Sequence, residues 1–260
     1  MPKRTEVDDD ISNKVHGATL ELMLGIGSYF AQGDKKINEI IFVPMAITAR
    51  IARLHEAIAT LLKDGYISEA AILSLTVFEL RIDLLDVASD IKRATAWIEH
   101  DNPKRKLEGM KPSLVRLFSA ARANRMYEIF RTLSGIKHGN PLFSDLAFPV
   151  TKRQNRMTVT TGPIENASTK AFSRAVFAYS TYQLIWSAQV LNKLVAQYTV
   201  IDRHTRQNVH DLYMSLRKVE TEFYTHCRRK VASKETFFNL KKRDRSKSNA
   251  PKDTDPTIVS

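Results

Sequence analysis

The chain has almost no cysteine and no long apolar run. Cys227 is the only cysteine among 260 residues, so an internal disulfide cannot form, which agrees with a reducing compartment. Charged residues interrupt every apolar stretch before the roughly 18–20 residues that a membrane span requires, and the N-terminus lacks the apolar core of a signal peptide. We therefore expect a cytoplasmic protein that makes no membrane contact.

Several catalytic signatures are also missing. The sequence contains no Gly-rich phosphate loop, no HExxH, no CxxC pair, no GxSxG elbow and no dinucleotide fingerprint. These absences argue against a kinase, a zinc protease, an α/β-hydrolase or a dehydrogenase, each of which depends on one of these motifs. We expect no cofactor.

Positive charge is abundant, and most of it is concentrated near the C-terminus. The formal net charge is +12, and the segment from Arg228 to Asn249 holds nine basic and two acidic residues. The composition of residues 233–260 favours a disordered tail, because so few apolar groups cannot offset the entropy of ordering. Phe237 and Phe238 are nevertheless able to stack on single-stranded nucleic acid.

Apolar residues recur at helical spacing along most of the chain. The pattern predicts an all-α bundle of about six or seven helices over residues 12–232, preceded by a polar segment at 1–11. Asp64-Gly65-Tyr66 predicts a tight turn between two core helices, and β-like runs near 146–161 predict a small β-hairpin insertion. Serine is a preferred N-cap residue, and the predicted helix starts are Ser12, Ser68, Ser113 and Ser168.

The segment 125–141 is the most informative part of the chain, because it predicts a helix that ends on a histidine. His138 is followed by Gly-Asn-Pro, a strong helix stop. At 100° per residue Tyr127, Arg131, Ser134 and His138 fall on one polar stripe. The stripe therefore combines a guanidinium, a hydroxyl and an imidazole.

The spacing of Arg131 and His138 resembles the Arg-x4–6-His motif of the HEPN superfamily of helical-bundle proteins (higher eukaryotes and prokaryotes nucleotide-binding). Many members are metal-independent RNases of toxin–antitoxin and phage-defence systems. The resemblance implies that His138 is a general acid/base and that Arg131 binds phosphate, with Ser134 and Asn140 orienting the substrate. It also implies a homodimer, RNA as substrate, and an antitoxin or defence protein as partner. Thr132 departs from the Asn, Asp or His that often follows the arginine.

Three other Arg/His pairs match the same Arg-x4–6-His motif, namely Arg50/His55, Arg93/His100 and Arg203/His210. Chance alone produces about two such matches in a chain of this composition, so the pattern needs structural context. Arg50/His55 is the alternative site.

A closer resemblance covers roughly 49–139 and concerns an uncharacterised bacterial family of helical domains. Gly65, Glu69-Ala70 and Glu79 match its turn and central glutamate, and a Leu-Ser-x3-His-Gly run follows at 133–139. This resemblance implies that Glu79, Arg81, Ser134 and His138 meet in a shared buried polar cluster.

Two further interpretations remain open. Glu79, Asp83 and Asp86 share one helical face and could hold a divalent ion, although a solvated or salt-bridged face is commoner, and we expect no metal. The second interpretation is a non-enzymatic helical interaction module of a bacterial defence or regulatory complex, in which the same polar residues hold the helices together.

Overall fold

The computed structural model describes residues 6–31, 39–98, 109–138, 150–153, 156–159, 167–198 and 203–230. Within these ranges the chain forms eight helices: α1 Glu6–Ala31, α2 Glu39–Lys63, α3 Ile67–Val87, α4 Ile91–Ile98, α5 Met110–Leu117, α6 Ala120–Lys137, α7 Ala167–Tyr198 and α8 Arg203–Lys230. The predicted all-α class is therefore confirmed. None of the described helices combines the length and apolar character that a bilayer crossing requires.

Two four-residue strands follow α6 in the chain. β1 Val150–Arg153 pairs antiparallel with β2 Arg156–Val159, in the register Val150 with Val159 and Arg153 with Arg156. The segment 139–149, which includes Asn140, lies outside the described residues.

The hairpin of α2 and α3 forms the centre of the bundle and confirms the turn predicted at Gly65. Gly65 has φ 85°, a left-handed conformation that glycine adopts without steric cost. The amide of Tyr66 donates to the Leu61 carbonyl at 2.8 Å, which closes the turn. Helix α7 packs along both α2 and α3, so three long helices enclose the main apolar core.

A second apolar cluster joins the C-terminal half of α1 to the start of α2, the end of α7 and α8. Gly25 allows close approach here, since a Cβ at this position would lie 2.5 Å from Leu212 Cδ1. Helices α1 and α8 therefore pack with little space between them at this level.

Helix starts are the least accurate part of the sequence prediction. Helix α1 begins at Glu6, so residues 6–11 are helical rather than a separate polar segment, and Ser12 is a buried interior residue. The N-cap of α3 is Tyr66 and that of α5 is Gly109, so Ser68 and Ser113 lie inside their helices. Capping preference is a weak signal, and the packing of the first turns overrides it. Helix α7 begins at Ala167, next to the predicted Ser168.

Candidate functional site

Helix α6 carries the polar stripe predicted from the sequence. Its C-cap is His138, whose amide donates to the Ser134 carbonyl at 3.0 Å. The side chains of Arg131 and His138 are exposed, whereas those of Tyr127 and Ser134 are half-buried. The helical rise separates Arg131 from His138 by about 10 Å along the axis. Both groups can therefore meet a ligand that lies along the helix.

Arg131 is paired only weakly. Its Nη1 lies 3.5 Å from Glu128 Oε1, and the arginine side chain is 61% exposed. Exposed pairs of this kind contribute roughly 0–1 kcal/mol, because water screens them and two long side chains lose freedom. The guanidinium can therefore exchange Glu128 for a phosphate at small cost.

The shared buried polar cluster expected around Arg81 does not include His138. Arg81 is 3% exposed, and Glu79 is half-buried, whereas His138 is exposed at the end of α6. The prediction of one buried cluster is wrong for this histidine, because helix α6 ends there and leaves the side chain accessible to water.

Arg50 and His55 lie on different sides of α2. Arg50 is exposed, and His55 is only 1% exposed; five residues of separation rotate the two side chains by roughly 140°. His55 Nε2 lies 3.0 Å from Thr181 Oγ1, which itself donates to the Phe177 carbonyl. The threonine proton is thus already used, so His55 Nε2–H is the donor to Thr181. This pair does not form one site.

The remaining Arg/His pairs offer no second site among the described residues. Arg93 binds Asp86, with Nη1 2.9 Å from Oδ1 and 3.1 Å from Oδ2, and His100 lies outside the described residues. His210 is exposed on α8, and the side chain of Arg203 is not described.

Asp86 belongs to an ion-pair cluster rather than to a metal site. Arg116 also donates to Asp86 Oδ1, so two guanidiniums share one carboxylate that is 20% exposed. Within the described ranges no group of three or more His, Cys, Asp or Glu side chains is arranged to hold a metal ion.

Helices α5 and α6 form a strongly basic surface, which we call the α5–α6 surface. Residues 110–138 contain a single acidic residue, Glu128. Six basic residues accompany it, all of them exposed: Lys111, Arg116, Arg122, Arg125, Arg131 and Lys137. A surface of this charge attracts polyanions.

Aromatic rings are interleaved with these cations. Lys111 Nζ lies 5.6 Å from the centroid of the Tyr127 ring, and Arg122 Cζ lies 4.7 Å from that of Phe118. Val115, also on this surface, is 55% exposed. Combined cationic and aromatic groups are typical of surfaces that bind single-stranded nucleic acid.

No family model, curated protein or solved structure matches this chain.

A second group of polar atoms lies inside the bundle, between α3 and α7. Arg81 Cζ lies 4.6 Å from the centroid of the Trp186 ring and 5.9 Å from that of Tyr182. Burial lowers the pKa of Arg81, and the charge of Arg122 lowers it further, while Tyr179 and Tyr182 oppose these effects. No described carboxylate pairs with this guanidinium.

Tyr179 and Gln183 are the other buried polar groups on this side of α7. Within the described part of the chain, neither the Tyr179 hydroxyl nor Arg81 Nε makes a hydrogen bond of normal geometry, although the two side chains lie close together. Burial raises the pKa of Tyr179, so the hydroxyl keeps its proton and remains a donor. Gln183 is 1% exposed, and neither its amide oxygen nor its amide nitrogen has a described partner.

Sequence reasoning missed both the α5–α6 surface and the aromatic residues around Arg81. A charge count restricted to 110–138 would have revealed the first. The spacing of Tyr179, Tyr182 and Trp186 at i, i+3 and i+7 places them on one stripe of α7, but the same pattern is typical of ordinary core residues. Only the position of Arg81 opposite that stripe distinguishes the stripe from a set of ordinary core residues.

Proposed function

We propose that this chain is a HEPN-like, metal-independent ribonuclease that binds RNA on the α5–α6 surface. One observation carries the proposal: Arg131 and His138 are both exposed on one stripe of α6. They lie within a surface that has six cations and one carboxylate. The surface supplies affinity for the backbone, and the two side chains supply groups able to act on one phosphodiester.

The chemistry assigned to the two residues is transesterification. The imidazole of His138 removes the proton of a ribose 2′-hydroxyl, and the 2′-oxygen attacks the adjacent phosphorus. The bond from phosphorus to the 5′-oxygen breaks, which leaves a 2′,3′-cyclic phosphate and a 5′-hydroxyl. Arg131 neutralises the charge that develops on the phosphoryl oxygens.

The leaving 5′-oxygen requires a proton from a second group. In the homodimer that the HEPN resemblance implies, His138 of one copy acts as the base while His138 of the other acts as the acid. Tyr127, Ser134 and Asn140 orient the RNA, with Glu79 and Arg81 supporting them from α3. The biological setting that we propose is a bacterial defence or toxin-type system, with an antitoxin or defence protein as the regulatory partner.

The proposal is tested by RNA cleavage in the presence of EDTA. Wild type is expected to cut a labelled single-stranded RNA and to leave a 2′,3′-cyclic phosphate, whereas His138→Ala and Arg131→Ala should each lose at least about a hundredfold in rate. His210→Ala and Arg206→Ala are the matched controls, because each removes an exposed side chain of the same type from α8, outside the α5–α6 surface. Both controls are expected to retain wild-type cleavage.

Two outcomes contradict the enzyme assignment. Equal cleavage by wild type and His138→Ala would remove His138 from the mechanism. RNA binding without any cleavage would favour the non-enzymatic interaction module.

A further inference from the structure

The ring of Tyr127 forms an aromatic platform on the polar stripe of α6. It stacks on the Phe130 ring, with the two centroids 5.9 Å apart and the planes 20° from parallel. The centroid of the Phe130 ring lies 6.0 Å from that of Phe78, which is fully buried. This chain of rings anchors Tyr127 to the core, while the side chain of Tyr127 is only half-buried. The ring is therefore held in place before any ligand binds.

Lys111 approaches the same ring from α5. Its Nζ lies 5.6 Å from the centroid of the Tyr127 ring, and the described residues give Lys111 no carboxylate partner. An exposed cation–π contact is weak, and the ammonium is carried on a flexible four-carbon stem. Lys111 can therefore leave the ring without breaking an ion pair to a described residue.

Tyr127 lies one helical turn before Arg131 on the same stripe. Four residues separate them, which is about 6 Å along the helix axis. Arg131 has only an exposed ion pair with Glu128 to exchange for a phosphate. An aromatic face and a phosphate-binding guanidinium thus lie close enough to receive the base and the phosphate of one nucleotide.

The other cation–π pair of the α5–α6 surface has a different position. Arg122 contacts Phe118, and it precedes Arg131 by nine residues. Nine residues rotate the two arginine side chains by roughly 180° about α6. The Phe118 ring therefore does not accompany the stripe that carries Arg131 and His138.

We propose that Tyr127 and Lys111 form a subsite for an unpaired nucleobase of the bound RNA. The base stacks on the Tyr127 ring, and the Lys111 ammonium moves from the ring to a neighbouring phosphate. Stacking of one base strengthens binding about tenfold, which exceeds the gain from an exposed ammonium at the same ring. The subsite rests on the proposed RNA-binding function of the α5–α6 surface, and it adds that an unpaired base is recognised beside the phosphate held by Arg131.

Isothermal titration calorimetry with two octamers tests the subsite. One is 2′-O-methyl octauridylate, and the other has the same 2′-O-methyl backbone without bases, so the two carry the same phosphate charge. The methyl group blocks attack by the 2′-oxygen, and binding is therefore measured without cleavage. Wild type should bind the octamer with bases about tenfold more tightly. We call this affinity ratio the base preference.

The base preference should depend on the ring at position 127. Tyr127→Leu should bring the ratio close to one, whereas Tyr127→Phe should keep it, because phenylalanine presents the same aromatic face. Phe118→Leu is the matched control, since it removes an aromatic ring of the same surface that lies away from the stripe. It should leave the base preference at the wild-type value.

Lys111→Ala provides an independent readout at an exposed position, where substitution leaves the fold intact. Both octamers should bind more weakly, because each loses one phosphate contact, and the slope of log affinity against log salt should become shallower by roughly 0.7. The base preference should not fall, since the ring face is then open. Lys193→Ala is the matched control, because it removes an exposed lysine from α7, and it should change neither quantity.

Three results overturn the subsite. Equal binding of the two octamers by wild type would show that the surface recognises phosphate charge alone. A base preference that persists in Tyr127→Leu, or one that is lost as fully in Phe118→Leu, would show that bases stack elsewhere. A base preference that disappears in Lys111→Ala would contradict the exchange of ammonium for base.

The subsite and the ribonuclease activity can fail separately. RNA cleavage by wild type without a base preference would overturn the subsite alone. A base preference that depends on Tyr127, in a protein that cuts no RNA, would support the subsite and contradict only the enzyme assignment.

Discussion

The guanidinium of Arg81 lies over the ring of Trp186, 4.6 Å from its centroid, and so joins α3 to α7 through a cation–π contact. The guanidinium is buried and the Trp186 ring is half-buried, and this partial desolvation strengthens the contact. It fixes the spacing between two core helices.

Substitution of Trp186 should show how much this contact contributes to the free energy of unfolding. Trp186→Ala is expected to lower the free energy of unfolding by about 3 kcal/mol, from lost apolar contact and the lost cation–π interaction. Trp186→Phe should cost about 1 kcal/mol, because a ring remains. Urea denaturation measures both variants. Tyr198→Ala is the control on the same helix, since Tyr198 is 43% exposed; a loss as large as that of Trp186→Ala would show that burial next to Arg81 is not the cause.

The hydrogen bond between His55 and Thr181 should be important for stability. Thr181→Val preserves the shape of the side chain but leaves a buried imidazole N–H without its acceptor, which should cost about 1–3 kcal/mol. The matched control is Thr60→Val on α2. Thr60 is exposed and donates only to the Glu56 carbonyl, so its replacement should change stability by less than about 0.5 kcal/mol. Chemical denaturation of both variants decides the matter, and equal losses would contradict the assigned bond.

Substitution of the α1 glycines by alanine should change the stability of the protein differently at each position. A Cβ at Gly17 or Gly27 meets nothing within 4 Å, so either substitution should stabilise the protein by about 0.5–1 kcal/mol through helix propensity. A Cβ at Gly25 lies 2.5 Å from Leu212 Cδ1. Gly25→Ala should therefore be less stable than Gly17→Ala by about 1–2 kcal/mol.

Thermal unfolding of the double variant Gly25→Ala/Leu212→Ala provides the check on this steric explanation. Removing the leucine methyl groups should recover the helix-propensity gain at position 25. The double variant should therefore lose less stability than the sum of the losses in the two single variants. Full additivity would show that the close approach of α1 and α8 is not responsible.

Asp86 should be needed to hold α4 and α5 against α3. It accepts from Arg93 on α4 and from Arg116 on α5, so Asp86→Asn leaves two neighbouring guanidiniums without their shared carboxylate. We expect a loss of about 1–2 kcal/mol at low ionic strength that decreases as salt is added. Asp64→Asn serves as a control because Asp64 is exposed in the turn before α3. A loss that is independent of salt would contradict an electrostatic role.

Much of the fold could be predicted from local pattern. The hairpin of α2 and α3 followed from apolar periodicity and one glycine, since both signals are contained in neighbouring residues. Proline is favoured in the first turn of a helix, where its missing N–H costs little, yet α2 begins at Glu39, five residues before Pro44. Pro44 thus lies inside the helix and is buried there, a position that helix propensity alone disfavours.

The candidate site was less predictable. The polar stripe of α6 follows from a period of 3.6 residues, so the shared helix and shared face of Arg131 and His138 could be predicted. Their exposure could not, because it depends on which other helices cover α6. Arg50 and His55 match the same motif, but their five-residue offset rotates them apart by roughly 140°, and the packing of α2 against α7 buries His55.

By itself the sequence determined the helical class, the central turn and the polar stripe of α6, because each depends on residues within a few turns of one another. Tertiary structure decided which members of the expected polar cluster are buried, since Arg81 is buried and His138 is exposed. Arg81 has no local signal that separates it from other helical arginines, and it becomes an interior cation only because α7 places Tyr182 and Trp186 beside it. Whether a side chain is buried depends on which helix packs against its face, and the periodicity within one helix does not specify that neighbour.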